Sequence, residues 1–571
     1  MPNHTVDPFL LRPGNRHQAK TLLALGALQY TQCPEAPAVI FIPDDEGPSK
    51  TRSVRAFFDN AGGYAEALKA QGVGPRDLII LVMEHSEALL YAFWGALMCG
   101  AIPSIFPFLS DKQDPTLYFE RVRALVHISE VTAIIASAQF IEPLRAVLPD
   151  VQMITEADLA PGQPRADFSY DAREDDIAFL QHSSGTTGLQ KGIALSHRSV
   201  LNQIASYGAA IGLQATDRVV SWLPLYHDMG LIAGFIMPVA QAIPLVIMSP
   251  FHWVRDPLLL LQVISQYSGT LCWLPNFAYN FMAQRVREDA LAGINLGTVR
   301  AFINCSEPVY AQSHRQFMAR FSPCGLRPGT LATCYAMAEN TFAVTQSRIG
   351  EATPVDRIDR SALRDQNLAI PAQGEKSVEM LSCGKAIAGC QLRIVDEAFN
   401  NLPERTIGEI AIQSDSMLSG YYHREDLTAQ ALIDGWYRTG DLGYLDGNGE
   451  LYITGRKKDL IIVGGKNVYP QDLEAIANEV AGVHPGRVAA FGVPDERLAT
   501  ETVVIVCEVD TTNDREIRTI DREIRRRVAQ QTEVTIGRVE VVEAGWLIKS
   551  SSGKIARGAN REKYLIRRSG G

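Results

Sequence analysis

The sequence of 571 residues lacks several features that would assign it quickly. None of its nine cysteines forms a C-x-x-C pair, and no histidine pair stands near them at zinc-ligand spacing. Their odd number also argues against a disulfide framework. Cys33, Cys99, Cys272, Cys305, Cys324, Cys334, Cys383, Cys390 and Cys507 therefore read as reduced, mostly buried thiols. Basic residues are not in excess: the net charge is -10 and the pI about 5.7, which argues against a nucleic-acid partner. The opening MPNHTVDPFLLRPGNRHQ has no basic segment leading into an apolar one. No signal peptide is apparent, and a cytoplasmic location is the expectation. No internal repeat or low-complexity tract stands out.

Charge itself is missing from two stretches, Ala88 to Ser110 and Met229 to Val254. Both are long enough to cross a membrane. Gly100 and Pro103 interrupt the first, and Pro238 and Pro244 the second, each followed by a short β-rich run. Helix, turn and buried strand is the better reading, with no stable membrane insertion.

What is present is ordinary globular composition, 46% hydrophobic and 21% charged, in a chain long enough for more than one domain. From about residue 52 to 345, helical patterns alternate with short apolar runs read as strands: Arg76 to Met83, Ala124 to Ser137, Arg218 to Leu225, Ala242 to Met248 and Gly269 to Pro275. That alternation predicts an α/β fold with parallel sheets covered by helices. The polar stretch from Thr353 to Ser377 reads as a long loop or insertion. Shorter strands with glycine turns follow (QLRIVD, GEIAIQS, GYLDGNGELYITG), which suggests a small β-rich subdomain. Past Arg456-Lys457-Lys458 the pattern becomes that of a separate compact α/β domain, so the boundary is drawn there.

One segment carries the strongest chemical signal: Ser183-Ser184-Gly185-Thr186-Thr187-Gly188-Leu189-Gln190-Lys191-Gly192. Glycines free the backbone, hydroxyls and N–H groups can wrap polyphosphate oxygens, and Lys191 adds charge. It is not a Walker A loop, because no Gly-Lys-Ser/Thr stands at the required offset. Five further segments follow: Leu223-Pro224-Leu225-Tyr226-His227-Asp228-Met229-Gly230-Leu231, Tyr335-Ala336-Met337-Ala338-Glu339-Asn340-Thr341, Gly435 to Asp441, Gly455-Arg456-Lys457-Lys458-Asp459, and Ser551-Ser552-Gly553-Lys554-Ile555.

These six motifs, in this order and over most of the chain, resemble the adenylate-forming superfamily of acyl-CoA synthetases, nonribosomal adenylation domains, luciferases and fatty acyl-AMP ligases. The resemblance implies a large N-terminal adenylation domain over 1–457, built of parallel αβ subdomains and a small β-rich one. A small mobile C-terminal α/β domain would cover 458–571, hinged at Lys458. It also implies ATP and Mg²⁺ as cofactors. Ser183, Ser184, Gly185, Thr186, Thr187, Gly188 and Lys191 would hold ATP phosphates. Ser306, Glu307 and Pro308 would contact adenine, with Tyr335 stacking on it and Ala336, Met337 and Ala338 lining the same segment. Glu339 would bind Mg²⁺, directly or through water. Asp441 would accept hydrogen bonds from the ribose hydroxyls, and Arg456 would contact ribose or phosphate. Lys554, on a flexible Ser-Ser-Gly loop, would stabilise charge as a carboxylate attacks the α-phosphate. His227 would gate the carboxylate's approach. Ala336 stands where the family usually has Gly, and Gln190 where it often has Pro; neither removes a needed charge.

Within the superfamily, four features are similar to fatty acyl-AMP ligases: LPLYHDMGLI, Pro275-Asn276-Phe277-Ala278-Tyr279, Ser306-Glu307-Pro308, and the long interval between Glu339 and Ser382. This branch implies a fatty acid substrate, poor use of free CoA, and transfer to the phosphopantetheine arm of an acyl carrier protein. Trp222, Met229, Phe235 and Phe277 are the candidate acyl-tunnel residues. The rival readings are a fatty acyl-CoA ligase of the same fold and a non-catalytic nucleotide-binding scaffold.

Overall fold

The computed structural model describes residues 19–44, 47–109, 115–159, 164–182, 191–374, 376–463, 466–495, 500–532, 534–550 and 553–569. Ser183, Ser184, Gly185, Thr186, Thr187 and Gly188, with Leu189 and Gln190, lie outside them, as do Ser551 and Ser552.

A nine-stranded sheet forms the centre. Its order is Lys385–Ala386, Ala343–Gln346, Leu331–Ala336, Ala301–Asn304, Leu271–Leu274, Val219–Ser221, Leu245–Met248, Pro37–Ile42, Lys50–Ser53. The six strands from Leu331–Ala336 to Pro37–Ile42 run parallel. Most are buried along their whole length, as expected where helices cover both faces. A second, fully parallel sheet orders Ile102–Ile105, Leu78–Val82, Ala133–Ala136 and Gln152–Thr155. The β-rich subdomain is an antiparallel sheet of Cys390–Val395, Gly408–Ser414, Trp436–Leu445, Leu432–Ile433 and Leu451–Arg456.

Both uncharged stretches fold as helix, turn and strand. The first gives helix Glu87–Met98 and strand Ile102–Ile105; the second gives two short helices, strand Leu245–Met248 and helix Pro250–Arg255. Among the described residues no helix is long and apolar enough to cross a membrane.

Two expectations need correction. The run from Ala124 to Ser137 is not one strand. Helix Pro115–Ser129 takes its first part, because Val122, Leu125 and Val126 fall on one buried helical face. Glu130, at φ 51°, ends that helix, and only Ala133–Ala136 is strand. The polar stretch after Thr353 is not a long loop either. Val355–Asp359 pairs antiparallel with Ser377–Leu381, and helix Arg360–Gln366 stands between them. Polarity hid a real core: Ile358, Leu363 and Ala369 are buried with Ile407, Tyr444, Tyr452 and Tyr469.

The chain leaves the β-rich sheet at Arg456, makes a tight turn over Lys457–Asp459, and enters a small α/β unit. That unit has a hairpin (Ile461–Val463 with Lys466–Val468), a sheet of Val483–Asp495, Thr500–Val509 and Ile536–Glu543, and helices Pro470–Asn478, Asp514–Thr532 and Arg557–Ser569. It has cores of its own around Ile505, Ile524 and Val528 and around Phe491 and Tyr564. The helix from the Thr353 insertion meets it directly. Arg360 Nη1 donates to Gln531 O at 2.6 Å and Arg364 Nη1 to Thr532 O at 2.9 Å. Two guanidinium groups thus satisfy the last carbonyls of helix Asp514–Thr532, at its negative end.

Candidate active site

Four adjacent parallel strands of the central sheet end at one edge, and each continues into a segment singled out by the sequence. Val219–Ser221 leads to Trp222 through Met229, and Leu271–Leu274 to Pro275–Phe277. Ala301–Asn304 leads to Cys305–Pro308, and Leu331–Ala336 to Met337–Glu339. Ligands of open α/β sheets bind beyond the carboxyl ends of the strands, so this edge is where a site belongs.

Local chemistry fixes each segment. After Asp228 the backbone runs as a π-helix, Met229–Ile236, and the Asp228 carboxylate accepts from Met229 N–H at 2.8 Å. Such wide turns recur at functional sites. Gly230 is required there: a Cβ would stand 2.1 Å from Pro224 O. The Cys305–Pro308 turn is held from below, where Asn304 Nδ2 donates to Asn276 Oδ1 at 3.0 Å. Ser306, at φ 69°, and Thr341, at φ 62°, are strained non-glycine residues flanking the site.

The β-rich subdomain contributes a second wall. Asp441 and Arg456 face each other across paired strands, and Arg456 Nε donates to Asp441 Oδ1 at 3.0 Å. The Tyr335 hydroxyl donates to the other carboxylate oxygen at 2.7 Å. Tyr335, Asp441 and Arg456 therefore hold one another in this state, with Tyr335 largely buried.

Glu339 lies on a short turn, Ala338–Asn340, and accepts from the Tyr421 hydroxyl at 3.1 Å. Tyr421 meets the Tyr437 hydroxyl at 3.0 Å, and Lys191 Nζ sits 4.6 Å above the Tyr421 ring. Burial raises the Glu339 pKa, and the Asp228 charge raises it further, against the Tyr421 and Tyr437 hydroxyls that lower it.

Lys554 reaches this edge from the small domain. Burial lowers its pKa; Glu307 opposes that, Arg456 adds to it, and Asp228 opposes it again. The same contacts register on their partners. Burial raises the Glu307 and Asp228 pKa values while Lys554 pulls both down, and Lys549 also acts on Glu307. Burial, then the Lys554 charge, depress His227 to about 3, so it is neutral at physiological pH. His227 Nε2 has no hydrogen-bond partner among the described residues. Lys554, His227, Glu307, Asp228 and Arg456 thus form one electrostatic cluster, with Glu339 joined through Asp228. The stem of the loop is hydrogen-bonded. Lys549 and Ile555 form a bridge, Lys554 O accepts from Ser550 N–H at 2.8 Å, and Gly553 takes φ 81°.

Pro308 is exposed at the rim, while Ala336, Met337 and Ala338 are half-buried beside Glu339. Glu307 Oε2 accepts from Phe277 N–H at 2.9 Å, which ties the reaction cluster to an aromatic one. Trp222 stacks on Trp253 with ring centroids 3.7 Å apart, and Phe277 meets both edge-on. Met229 joins through its sulfur, which accepts from the Ser306 hydroxyl at 3.9 Å. Phe235 is placed elsewhere: it is 0% exposed and packed against Phe57 and Phe93 in the core. Sequence reasoning assigned no role to Asp228, Tyr421, Tyr437, Lys549 or Trp253. Asp228 had a signal, as the lone acid beside His227 at the head of an uncharged stretch. Tyr421 had none, because its partner is 82 residues away.

A strand-end cleft with a half-buried acid, a carboxylate–guanidinium pair and a lysine brought in by a second domain is the arrangement of an adenylate-forming enzyme. The AMP-binding enzyme family matches residues 27–422, and the chain belongs to it. The chain is 31% identical over 568 residues to the long-chain-fatty-acid–AMP ligase FadD26 of Mycobacterium tuberculosis, covering 93% of this chain and 95% of that one. It is 33% identical over 411 residues to the medium-chain-fatty-acid–[acyl-carrier-protein] ligase JamA of Moorena producens, covering 69% of each. A solved structure from studies of fatty acyl-adenylate ligases of E. coli and L. pneumophila matches with a TM-score of 0.87 at 28% identity, over 96% of this chain and 98% of that one.

Proposed function

We propose that this protein is a fatty acyl-AMP ligase that activates a fatty acid with ATP and passes the acyl group to the phosphopantetheine thiol of an acyl carrier protein. The observation that carries this is the Lys554 ammonium set among Glu307, Asp228 and Arg456 at the strand-end cleft. FadD26 and JamA, whose names give a fatty acid–AMP ligase and a carrier-protein ligase, support the substrate and acceptor classes.

In the first step a fatty carboxylate oxygen attacks the ATP α-phosphorus. The bond to the bridging oxygen breaks and pyrophosphate leaves. Lys554 faces the negative charge that grows there. Asp441 and Arg456 trade their mutual contact for ribose and phosphate. Neutral His227, unable to bind the carboxylate as a cation, borders its entry path. The Trp222, Phe277 and Met229 side chains receive the alkyl chain. Glu339 and Asp228, two half-buried carboxylates close enough for the Asp228 charge to raise the Glu339 pKa, suit a Mg²⁺ ion that arrives with ATP. That ion would supply charge neutralisation of the phosphates. In the second step the small domain turns about Lys458, the boundary we assign between 1–457 and 458–571. The pantetheine sulfur then attacks the acyl carbon and gives up its proton, and AMP leaves with the electrons of the C–O bond. Nine free, buried cysteines suit the reducing cytoplasm, where we place the protein.

The test supplies purified protein with ATP, Mg²⁺ and fatty acids of several lengths, with free CoA or with holo acyl carrier protein, followed by mass spectrometry. Acyl-AMP that persists with CoA and passes to the carrier is the expected result. Rapid acyl-CoA formation would instead make the protein a CoA ligase of the same family.

A further inference from the structure

Lys458 and Lys554 are far apart in sequence, yet one side chain spans the gap between the hinge turn and the catalytic lysine's hairpin. Arg557 opens helix Arg557–Ser569, three residues past Lys554. Its Nη1 donates at 2.8 Å to Asp459, the residue after Lys458. Nε and Nη2 donate to the two oxygens of Glu474, each at 2.7 Å. Glu474 is further fixed by Ala490 N–H, which donates to it at 3.0 Å. The side chains of Arg557, Asp459 and Glu474 are only 19%, 14% and 12% exposed.

The hairpin itself is pinned by a second residue. Asn560 is fully buried; its oxygen accepts from Ile548 N–H at 2.8 Å, and its amide donates to Ile548 O and Ala556 O at 2.8 and 2.9 Å. Slack between hinge and lysine is thus removed at both ends of the stem.

Burying a three-charge cluster costs desolvation that well-packed apolar residues would avoid, so stability alone is a poor reason for it. A forked guanidinium does fix direction, which a hydrophobic contact does not. We propose that Arg557 is a positioning residue for adenylation: bound to Asp459 and Glu474, it makes the Lys554 hairpin follow the hinge rigidly. This rests on the role proposed for Lys554.

The half-reactions separate the idea from a merely structural role. Lys554 serves activation but not transfer, so its positioning residues should share that asymmetry. Arg557→Lys keeps the charge and loses the fork; Asp459→Asn keeps the shape and loses the charge. Each full-length variant is assayed for fatty acid-dependent ATP–pyrophosphate exchange, and for transfer of supplied acyl-AMP to the holo carrier. Displacing a reacting group by about an ångström costs on the order of 100-fold. We expect kcat for exchange to fall about 10- to 100-fold, with KM for ATP and the transfer rate within about twofold of the parent. Equal losses in both half-reactions, or full exchange activity in both variants, would overturn the inference. Lys554→Ala runs alongside. If it keeps exchange activity, the Lys554 reading fails and this inference with it. If it loses exchange while Arg557→Lys and Asp459→Asn do not, the positioning role alone is overturned. Melting curves identify any variant that fails to fold, and the other then decides.

Discussion

At the scale of single residues, the site gathers charged, partly buried side chains at one sheet edge. Replacing Lys554 by Ala should cut acyl-AMP formation by about 100-fold or more while ATP still binds, since only the transition-state charge loses its partner. Pyrophosphate release and equilibrium nucleotide binding check the two halves of that statement. The pH dependence follows from the carboxylates. Burial raises Glu339, and the Asp228 charge raises it further, so the acid limb of activity should lie above the ordinary carboxylate range. Removing the neighbouring charge with Asp228→Asn should move that limb to lower pH, whatever happens to the maximal rate. Lys554, Glu339, Asp441 and Arg456 were singled out in the sequence because each sits in a motif that resembles the family's, and the structure gathers them at one sheet edge. Tyr421 was not, because its bond to Glu339 is made only when the short strand Gly420–Tyr421 pairs with Gly192–Ser196, far back in the chain. Phe235 shows the opposite failure. Aromatic and close to the motif, it points into the core, and no sequence pattern reports which side of a π-helix faces a ligand.

The element that changes most between sequence and structure is the insertion after Thr353. Its polarity concealed a strand pair and a helix because its buried residues are few and lean on partners from other elements, chiefly Tyr444 and Tyr452. Tyr444 donates to Asp356 at 2.8 Å, which anchors the insertion to the β-rich sheet. Its helix then caps helix Asp514–Thr532 through Arg360 and Arg364. Each cap is worth about 1 kcal/mol by the usual measure of helix-end cations and hydrogen bonds. Arg360→Ala with Arg364→Ala should speed hydrogen exchange at the end of that helix, read by mass spectrometry. Helix Pro470–Asn478 carries a different load. Burial pushes Asp472 up to about 6, with Arg360 opposing and Glu474 assisting. A native pKa above the unfolded 3.8 means that the folded chain binds the extra proton. The stability this adds is complete below the unfolded value and is lost as pH rises through about 6. Asp472→Asn should therefore raise the melting temperature at pH 8, with a gain in stability of at most about 3 kcal/mol, and change little below pH 4.

At the scale of the whole molecule, the small C-terminal unit stands in a pose that sets Lys554 at the strand-end cleft. Side chains from the two domains meet at Lys466 and Asp365, 3.5 Å apart, and at Asn467 and Asn367, 2.8 Å apart. Cysteines placed at 365 and 466 and joined by a short bis-maleimide should freeze that pose. Acyl-AMP should then form and accumulate, and transfer to the carrier should fall at least about 10-fold, as expected when a domain motion separates two chemical steps. Undiminished transfer in the cross-linked protein would count against a turn at Lys458.

That labelling is practicable because all nine native thiols are buried. The same burial matters to the protein itself. An acyl-adenylate is an electrophile made to react with sulfur, and Cys305 lies one residue from the Ser306–Glu307 turn that borders it. Cys305, Cys334 and Cys383 are all 3% exposed or less, and burial keeps the latter two protonated as well. A sulfur-containing chain can thus make a thiol-seeking anhydride without acylating itself, and leave it for a visiting nucleophile.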